Sequence, residues 1–444
     1  RYCFYSRASN FPKQNNMNET LITHTLDNGL KLLIREIHTA PIASCWVWYG
    51  IGSRNEIAGK TGLSHWVEHM QFKGTAQRSA SWMDHAIARL GGHWNAFTSP
   101  DWTTYFETLP ASALDTALSL EADRMRGSLF DTEEVETERT VILSEREGLE
   151  NDPQFLLNEA VQLRAYQRHP YREEVIGAKE DLLSLTREDL FGHYQNYYQP
   201  ATALLCIAGD VNPQQTIALA QKHFGKLHST TVNTHLPDPE EDLPKYERVD
   251  LHGPGDATFI EIAWRAPKGN SEAFFAFTIL ESLLTGPSSL NMFGGGGISN
   301  RTSRLYLALV EKELAVSVNG NLNASIDPGT FSINLTKHPA RSVTKLLSAL
   351  DREIEKIQSK PISQAEIDRA VKQAKALFAY GSDNITNHGF WMGYSNSFAD
   401  YSWFTEYVKR LAAVTPEQVT EIARKYLRPD ARVVGVYTPN GKEL

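Results

Sequence analysis

Apolar and polar positions follow two periods along the chain, and the order of elements they predict occurs twice. Near the start, strand-like runs over 23–26 and 30–34 flank Asn28-Gly29, a pair that predicts a β-hairpin because both residues tolerate the left-handed backbone of a tight turn. A strand is predicted over 43–49, then helices over 80–90, 111–125 and 133–150. Thr186-Arg187-Glu188-Asp189 has the form of a capping box and predicts a helix running to Tyr198. A buried strand over 203–208 follows, ending at Gly209-Asp210. The stretch 229–243 holds Pro237, Pro239 and a run of acids without periodicity, which reads as a linker. Beyond it come a strand over 259–264, a helix over 273–284, a Gly-rich segment, and strands over 316–322 and 330–335. Helices over 363–380 and 416–426 and a strand over 432–437 complete the order. Ser363 with Glu366 forms a second capping box, and Thr415-Pro416 marks a helix start. The expected fold class is therefore α+β, two halves of about 200 residues each related by a divergent duplication. The boundaries read as 1–16 for an N-terminal extension or tag, 17–228 for the first domain, 229–245 for the linker and 246–444 for the second domain.

Composition changes this picture little. A length of 444 residues exceeds what one core usually supports, and 41% hydrophobic with 22% charged residues is ordinary for a globular protein. A net charge of −9 argues against a nucleic-acid partner and mildly favours basic peptides. Cys3, Cys45 and Cys206 show no CxxC spacing, so neither a disulfide framework nor a thiolate metal site is expected, and a reducing compartment fits. No run approaches the apolar length of a membrane span. Residues 1–16 contain no acid and three basic residues. They read as a tag or a translated upstream stretch before Met17, with an organellar presequence remnant as the alternative.

Candidate chemistry centres on His65-Trp66-Val67-Glu68-His69. On a helix, positions i, i+3 and i+4 share one stripe, so two imidazoles can hold one zinc while the adjacent carboxylate of Glu68 reaches a water as general base. With 14 His in the chain such a pattern also arises by accident, and paired helical His residues are often plain polar groups. A catalytic zinc needs a third protein ligand, and the HxxEH order draws it from a Glu far downstream. Glu145 lies 76 positions beyond His69, with Glu138 seven residues before it. That spacing puts both on one face of a helix, Glu145 to ligate and Glu138 to orient a His. The alternative is an acid-rich solvated helix, given Glu133, Glu134, Glu136, Glu147 and Glu150.

Gly52-Ser53-Arg54-Asn55-Glu56, the run Gly62 to Met70, Phe72-Lys73-Gly74-Thr75 and Asn95-Ala96-Phe97-Thr98-Ser99 resemble the pitrilysin or insulinase family of inverzincins. The resembling branch is that of short subunits, which includes the mitochondrial processing peptidase and its bacterial relatives. Similarity continues through His169-Pro170-Tyr171, Tyr198-Gln199-Pro200, Gly209-Asp210 and Ser303-Arg304-Leu305-Tyr306. The resemblance implies two homologous α/β-sandwich domains, each an antiparallel-rich sheet packed with helices, with the chain forming one half of a clamshell dimer around an unfolded peptide. It implies one Zn2+ per chain held by His65, His69 and Glu145, with Glu68 as base and Glu138 in support. The strand around Asn95, Ala96 and Phe97 would be an edge to which substrate adds, against the alternative of an ordinary strand with Asn95 in a turn.

The sequence also departs from the family pattern. Active members use an Arg and a Tyr seven positions apart in the second half, donors that stabilise an oxyanion. Val310 and Val316 stand in those places, and no Tyr after Lys245 has an Arg seven positions earlier. Valine offers no side-chain donor, so the resemblance predicts a heterodimer with a related subunit that supplies the pair, a homodimer being the alternative. Gly294, Gly295, Gly296 and Gly297 resemble the glycine-rich loop of the non-catalytic processing-peptidase subunit. They read equally as a gate for peptide or a plain surface connection, and not as a phosphate loop, because no Gly-Lys-Ser/Thr follows. The expected function is that of a zinc metalloendopeptidase subunit; an assembly subunit and a peptide-binding clamshell are the competing readings. A bacterial cytoplasm is the expected compartment, with mitochondrial matrix or periplasm as alternatives.

Overall fold

The computed structural model describes residues 21–240, 242–287 and 299–441. The extension 1–16 and the glycines Gly294 to Gly297 lie outside the described residues. The predicted hairpin forms β1 (Ile22–Thr25) and β2 (Lys31–Glu36), paired antiparallel, with Gly29 at φ +94° between them, a backbone that a residue without Cβ takes at little cost. The first sheet adds β3 (Ile42–Tyr49), β4 (His93–Thr98), β5 (Thr103–Pro110) and β6 (Ala203–Gly209), in the order β1-β2-β6-β3-β5-β4. The second sheet holds β7 (Glu247–Gly253), β8 (Phe259–Arg265), β9 (Ala315–Leu322), β10 (Thr330–Lys337) and β11 (Val433–Pro439), in the order β7-β11-β8-β10-β9. Each sheet has one parallel pair, β2 with β6 and β7 with β11, followed only by antiparallel pairs. Laid over one another, β2-β6-β3-β5-β4 and β7-β11-β8-β10-β9 agree in every neighbour and every direction. The two antiparallel-rich α+β halves therefore share one topology, and β4 and β9 are corresponding outer edges.

Helices cover these sheets, beginning with α1 (Leu63–Met70), α2 (Ala80–Arg89), α3 (Leu114–Gly127), α4 (Thr132–Glu150) and α5 (Pro153–Ala165). The helix expected from residue 111 starts as a 3₁₀ turn, Ala111–Ala113, before α3. The two halves exchange cover. α5, from the first half, packs on β8 and β11, with Leu157 and Val161 against Gly435. The helix Ile385–Phe398, from the second half, packs on β3 and β6, and there a Cβ at Gly389 or Gly393 would run into the indoles of Trp46 or Trp48. Trp46, Trp48 and Phe106 consequently share one buried cluster with Phe390 and Trp391, so the halves meet through core rather than through solvated surface. Residues 229–240 carry no helix or strand. At their end the Glu240 carboxylate accepts the amide N–H groups of Gln167, Arg168 and His169 and pairs with buried Arg265. Among the described residues no helix is long and apolar enough to cross a membrane.

Candidate metal centre

α1 forms where the apolar spacing asks for it. Leu63, Trp66, Val67 and Met70 are buried at the offsets of one helix face, which leaves His65, Glu68 and His69 together on the other. Gly62 starts the helix at φ +87°, and a Cβ there would meet the carbonyl oxygen of Ile176 at 2.5 Å. The first turn's free amides are answered by Glu56, whose carboxylate accepts from Gly62 N at 2.8 Å and Ser64 N at 2.6 Å. Burial pushes this carboxyl up to about 7, against the lowering effect of those same amides. Sequence reasoning assigned Glu56 no role, since it stands outside the capping-box offset and only the folded loop brings it back over the helix end.

α4 lies against α1 and presents Glu138 and Glu145 two turns apart. Glu145 Oε2 is 3.9 Å from His65 Nε2 and 3.8 Å from His69 Nε2, and one ligand atom from each of the three lies within 4.8 Å of the others. These gaps are too long for hydrogen bonds. Zinc bonds of 2.0–2.1 Å in a tetrahedral site set ligand atoms about 3.4 Å apart, so side-chain shifts of about half an ångström would bring the closer pairs to that spacing. Two imidazole nitrogens and one carboxylate oxygen are also the donor chemistry zinc takes, with a fourth position left open.

Glu138 is buried, with Oε1 2.8 Å from His69 Nδ1 and Oε2 paired with Lys73. Burial acts to raise the Glu138 carboxyl, but the hydrogen bonds of His69 and Lys73 outweigh it and hold it below the usual range. The ionised carboxylate makes His69 Nδ1 the donor and turns the Nε2 lone pair towards Glu145. For His69, burial favours the neutral ring, yet the Glu138 hydrogen bond and the charges of Glu68, Glu138 and Glu145 win and raise its pKa. Burial, with His69 beside it, drops His65 to about 4, so its ring is neutral near pH 7, as a ligand must be. Its Nδ1 is buried without a hydrogen-bond partner among the described residues.

Burial raises the Glu68 carboxyl, opposed by a hydrogen bond from the Thr98 hydroxyl, and a carboxylate shifted that way is a better proton acceptor near neutrality. Thr98 ends β4, and neither Thr98 nor Lys73 was singled out from the sequence as a site residue. Asn95, Ala96 and Phe97 lie in β4, which among the described residues pairs with β5 alone, its other side being the sheet edge. Asn95 is exposed within the strand rather than in a turn. Val310 ends the short turn Tyr306–Val310 and is half-buried, while Val316 is 57% exposed on β9.

Comparison with known proteins places this geometry in context. Residues 31–179 match the family model described as insulinase (peptidase family M16), and residues 184–374 match that described as peptidase M16 inactive domain. His65, Glu68, His69, Glu138 and Glu145 all fall in the first of these segments. An uncharacterized zinc protease of Mycobacterium leprae is 28% identical over 93% of this chain and 91% of its own. A probable mitochondrial-processing peptidase subunit beta of Schizosaccharomyces pombe is 27% identical over 82% of this chain and 79% of its own. The crystal structure of a protease from Helicobacter pylori superposes with a TM-score of 0.86 at 26% identity, covering 95% of this chain and all of that one.

Proposed function

The chain belongs to the insulinase family of peptidases, M16, and on that premise we propose that it is the zinc-bearing subunit of a metalloendopeptidase acting on peptides or unfolded segments. The observation that carries the reading is the convergence of His65, His69 and Glu145 within 4.8 Å, with Glu68 on the same helix and a buried carboxylate behind His69. These three side chains would hold one zinc. Bound there, zinc would supply Lewis-acid polarisation and would make water acidic enough to ionise near neutral pH. Glu68 takes the proton of the attacking water and passes it to the departing amide nitrogen, so the carboxylate is restored at the end of the cycle. Thr98 holds one oxygen of Glu68 in place. The free edge of β4 offers main-chain groups to an extended peptide, a mode that tolerates many sequences.

The finer part of the proposal is a shared catalytic centre. Val310 and Val316 cannot donate to a developing oxyanion, so a related partner subunit supplies the Arg and Tyr. A relative named as the beta subunit of a processing peptidase supports an assembly of unlike chains. The same two valines favour the second reading, a peptide-binding or assembly subunit without turnover. Zinc content and peptide cleavage separate them. The purified chain should bind about one zinc, as a single three-ligand site requires, and cleave well only with its partner. Glu68→Gln should retain the metal and abolish turnover, whereas a chain that keeps no zinc at neutral pH would sink the enzymatic reading.

A further inference from the structure

Beyond the Thr98 end of β4 lies a cavity of about 510 Å³ between the two halves, which the proposal above leaves unused. Its walls carry the rings of Trp102, Tyr166, Tyr171, Phe390 and Tyr394. Trp102 stands edge-on to Phe390 and Tyr394 at 6.5 and 6.3 Å, and Phe390 stacks on Tyr394 at 5.3 Å. The phenol hydroxyls already have acceptors: Tyr166 donates to Pro328 O at 3.1 Å, Tyr394 to Ala324 O at 3.2 Å, and Tyr171 to Asp101. These three residues therefore offer a guest ring faces rather than free donors, while Gln162, Asn321, Asn323 and Thr330 make one part of the lining polar. The volume falls in the range of ligand pockets.

The walls are also fixed before any guest arrives. Arg54 Nε donates to Asp327 Oδ2 at 2.7 Å, and His169 Nε2 lies 3.0 Å from the same oxygen. Asp101 Oδ2 accepts from Ile326 N at 3.0 Å while Oδ1 takes the Tyr171 hydroxyl. Arg54, Asp101, His169 and Asp327 are all buried, so this network ties the two halves together across the cavity. Asp101, the charged residue of the lining, is thereby satisfied and has little to offer a cation.

Thr98 connects this cavity to the chemistry, since the residue lines it and its hydroxyl donates to Glu68. A peptide laid along the edge of β4 and running past its last residue, Thr98, comes to residues that line the cavity, Ser99 to Trp102. We propose that the cavity is a specificity subsite for an aromatic or large aliphatic side chain of the peptide. The proposal rests on the reading of β4 as the substrate edge and Glu68 as the base.

Its test compares peptides that differ at one position, with Phe, Ala, Glu or Arg walked outward from the cleaved bond. Binding is read by fluorescence anisotropy on the Glu68→Gln chain, and cleavage as kcat/KM on the zinc-loaded full-length chain in the presence of the partner subunit that the shared centre requires. At one position Phe should exceed Ala by at least about tenfold in both, the effect of burying one large apolar side chain. Asn321→Trp or Asn323→Trp, placed at exposed positions of the cavity lining, should bring that ratio close to one, with thermal unfolding as the check on folding. The substrate comparison needs no altered cavity and stands even if both variants fold poorly. Cleavage with no Phe preference at any position, or a preference that survives both variants in folded form, overturns the subsite and leaves the peptidase standing. A preference for Arg overturns the apolar assignment. If no peptide is bound by the Glu68→Gln chain and none is cut by the chain with its partner, the peptidase reading falls with it.

Discussion

Glu138→Gln isolates one charge in the metal centre and predicts an effect whose size changes with pH. The amide oxygen of Gln can still accept from His69 Nδ1, which lies 2.8 Å from Glu138 Oε1, so ring orientation is kept and only the negative charge is lost. Removing such a supporting group lowers metal affinity by about tenfold to a hundredfold, or about 1.4 to 2.7 kcal/mol. In the empty site the same carboxylate stabilises a proton on His69, whose pKa is raised for that reason. Glu138 itself stays ionised in the neutral range, because His69 and Lys73 hold its pKa low. Below the His69 pKa, zinc must displace a proton that Glu138 also favours, and the two effects of losing the carboxylate partly cancel. Above it, His69 is neutral in both proteins and the loss appears in full. The ratio of variant to native Kd should therefore be a few-fold near pH 6 and approach about tenfold to a hundredfold near pH 8.5. Competition against a chromophoric zinc chelator at the two pH values measures it. A ratio of one at both, or one that shrinks as pH rises, refutes the reasoning.

Two further predictions concern the scaffold. Ala for Gly in a helix interior usually gains about 1 kcal/mol, but at Gly389 the added methyl runs into the Trp46 indole. Gly389→Ala should therefore destabilise the chain by about 1–3 kcal/mol or more through overpacking, and a stabilised variant in urea denaturation would contradict the exchanged-helix interface. Glu261, buried on β8 with one bond from Asn158, has its carboxyl pushed up to about 7 by burial from an ordinary 4.5. The folded state then holds a proton that the unfolded chain has lost, so this group subtracts stability as pH rises from about 4.5 to 7. Glu261→Gln removes that loss. Near pH 8 it should be the more stable protein by about 3 kcal/mol, with the difference vanishing below about pH 4.5; equal stability at both ends would show that Glu261 carries no such burden.

What could be read before folding, and what could not, follows from where each segment buries its side chains. The hairpin at Asn28-Gly29, the capped helices starting at Arg187, Gln364 and Pro416, and α1 with its polar stripe all carry local signals that survive into the structure. β5 carries a weak local signal, since Glu107 interrupts its apolar run, yet Glu107 is fully buried, 3.2 Å from the equally buried Arg124, and tertiary pairing makes that possible. The helix Ile385–Phe398 has no amphipathic pattern because it is buried widely around its girth, under a sheet from the other half. α5 and Pro213–Phe224, where no helix is predicted from the sequence, also carry local signals, since Asp152-Pro153 and Asn212-Pro213 are helix-start pairs whose side chains cap. In the metal centre the trio and Glu138 could be expected from spacing and resemblance, whereas Glu56, Lys73 and Thr98 act through contacts that no spacing encodes.

The shared topology of the halves helps to explain why the candidate metal site falls in one of them. In the first half, the segment between β3 and β4 supplies α1, a helix with one apolar face towards the core and a polar stripe beside the edge strand. In the second half, the corresponding segment between β8 and β9 supplies the helix Glu272–Thr285, which is buried nearly all round by Phe274, Phe275, Phe277, Leu280 and their neighbours. No histidine stands on it, and a polar stripe there would have to face core. The same topology thus gives two outer edges, β4 and β9, and among the described residues the cluster that could hold a metal lies by β4. β9 instead carries Val316 outward where an oxyanion donor would be needed. On the proposed reading, the donors absent at Val310 and Val316 come from a related partner, which leaves the second half of this chain to act as scaffold and wall rather than as a source of catalytic groups.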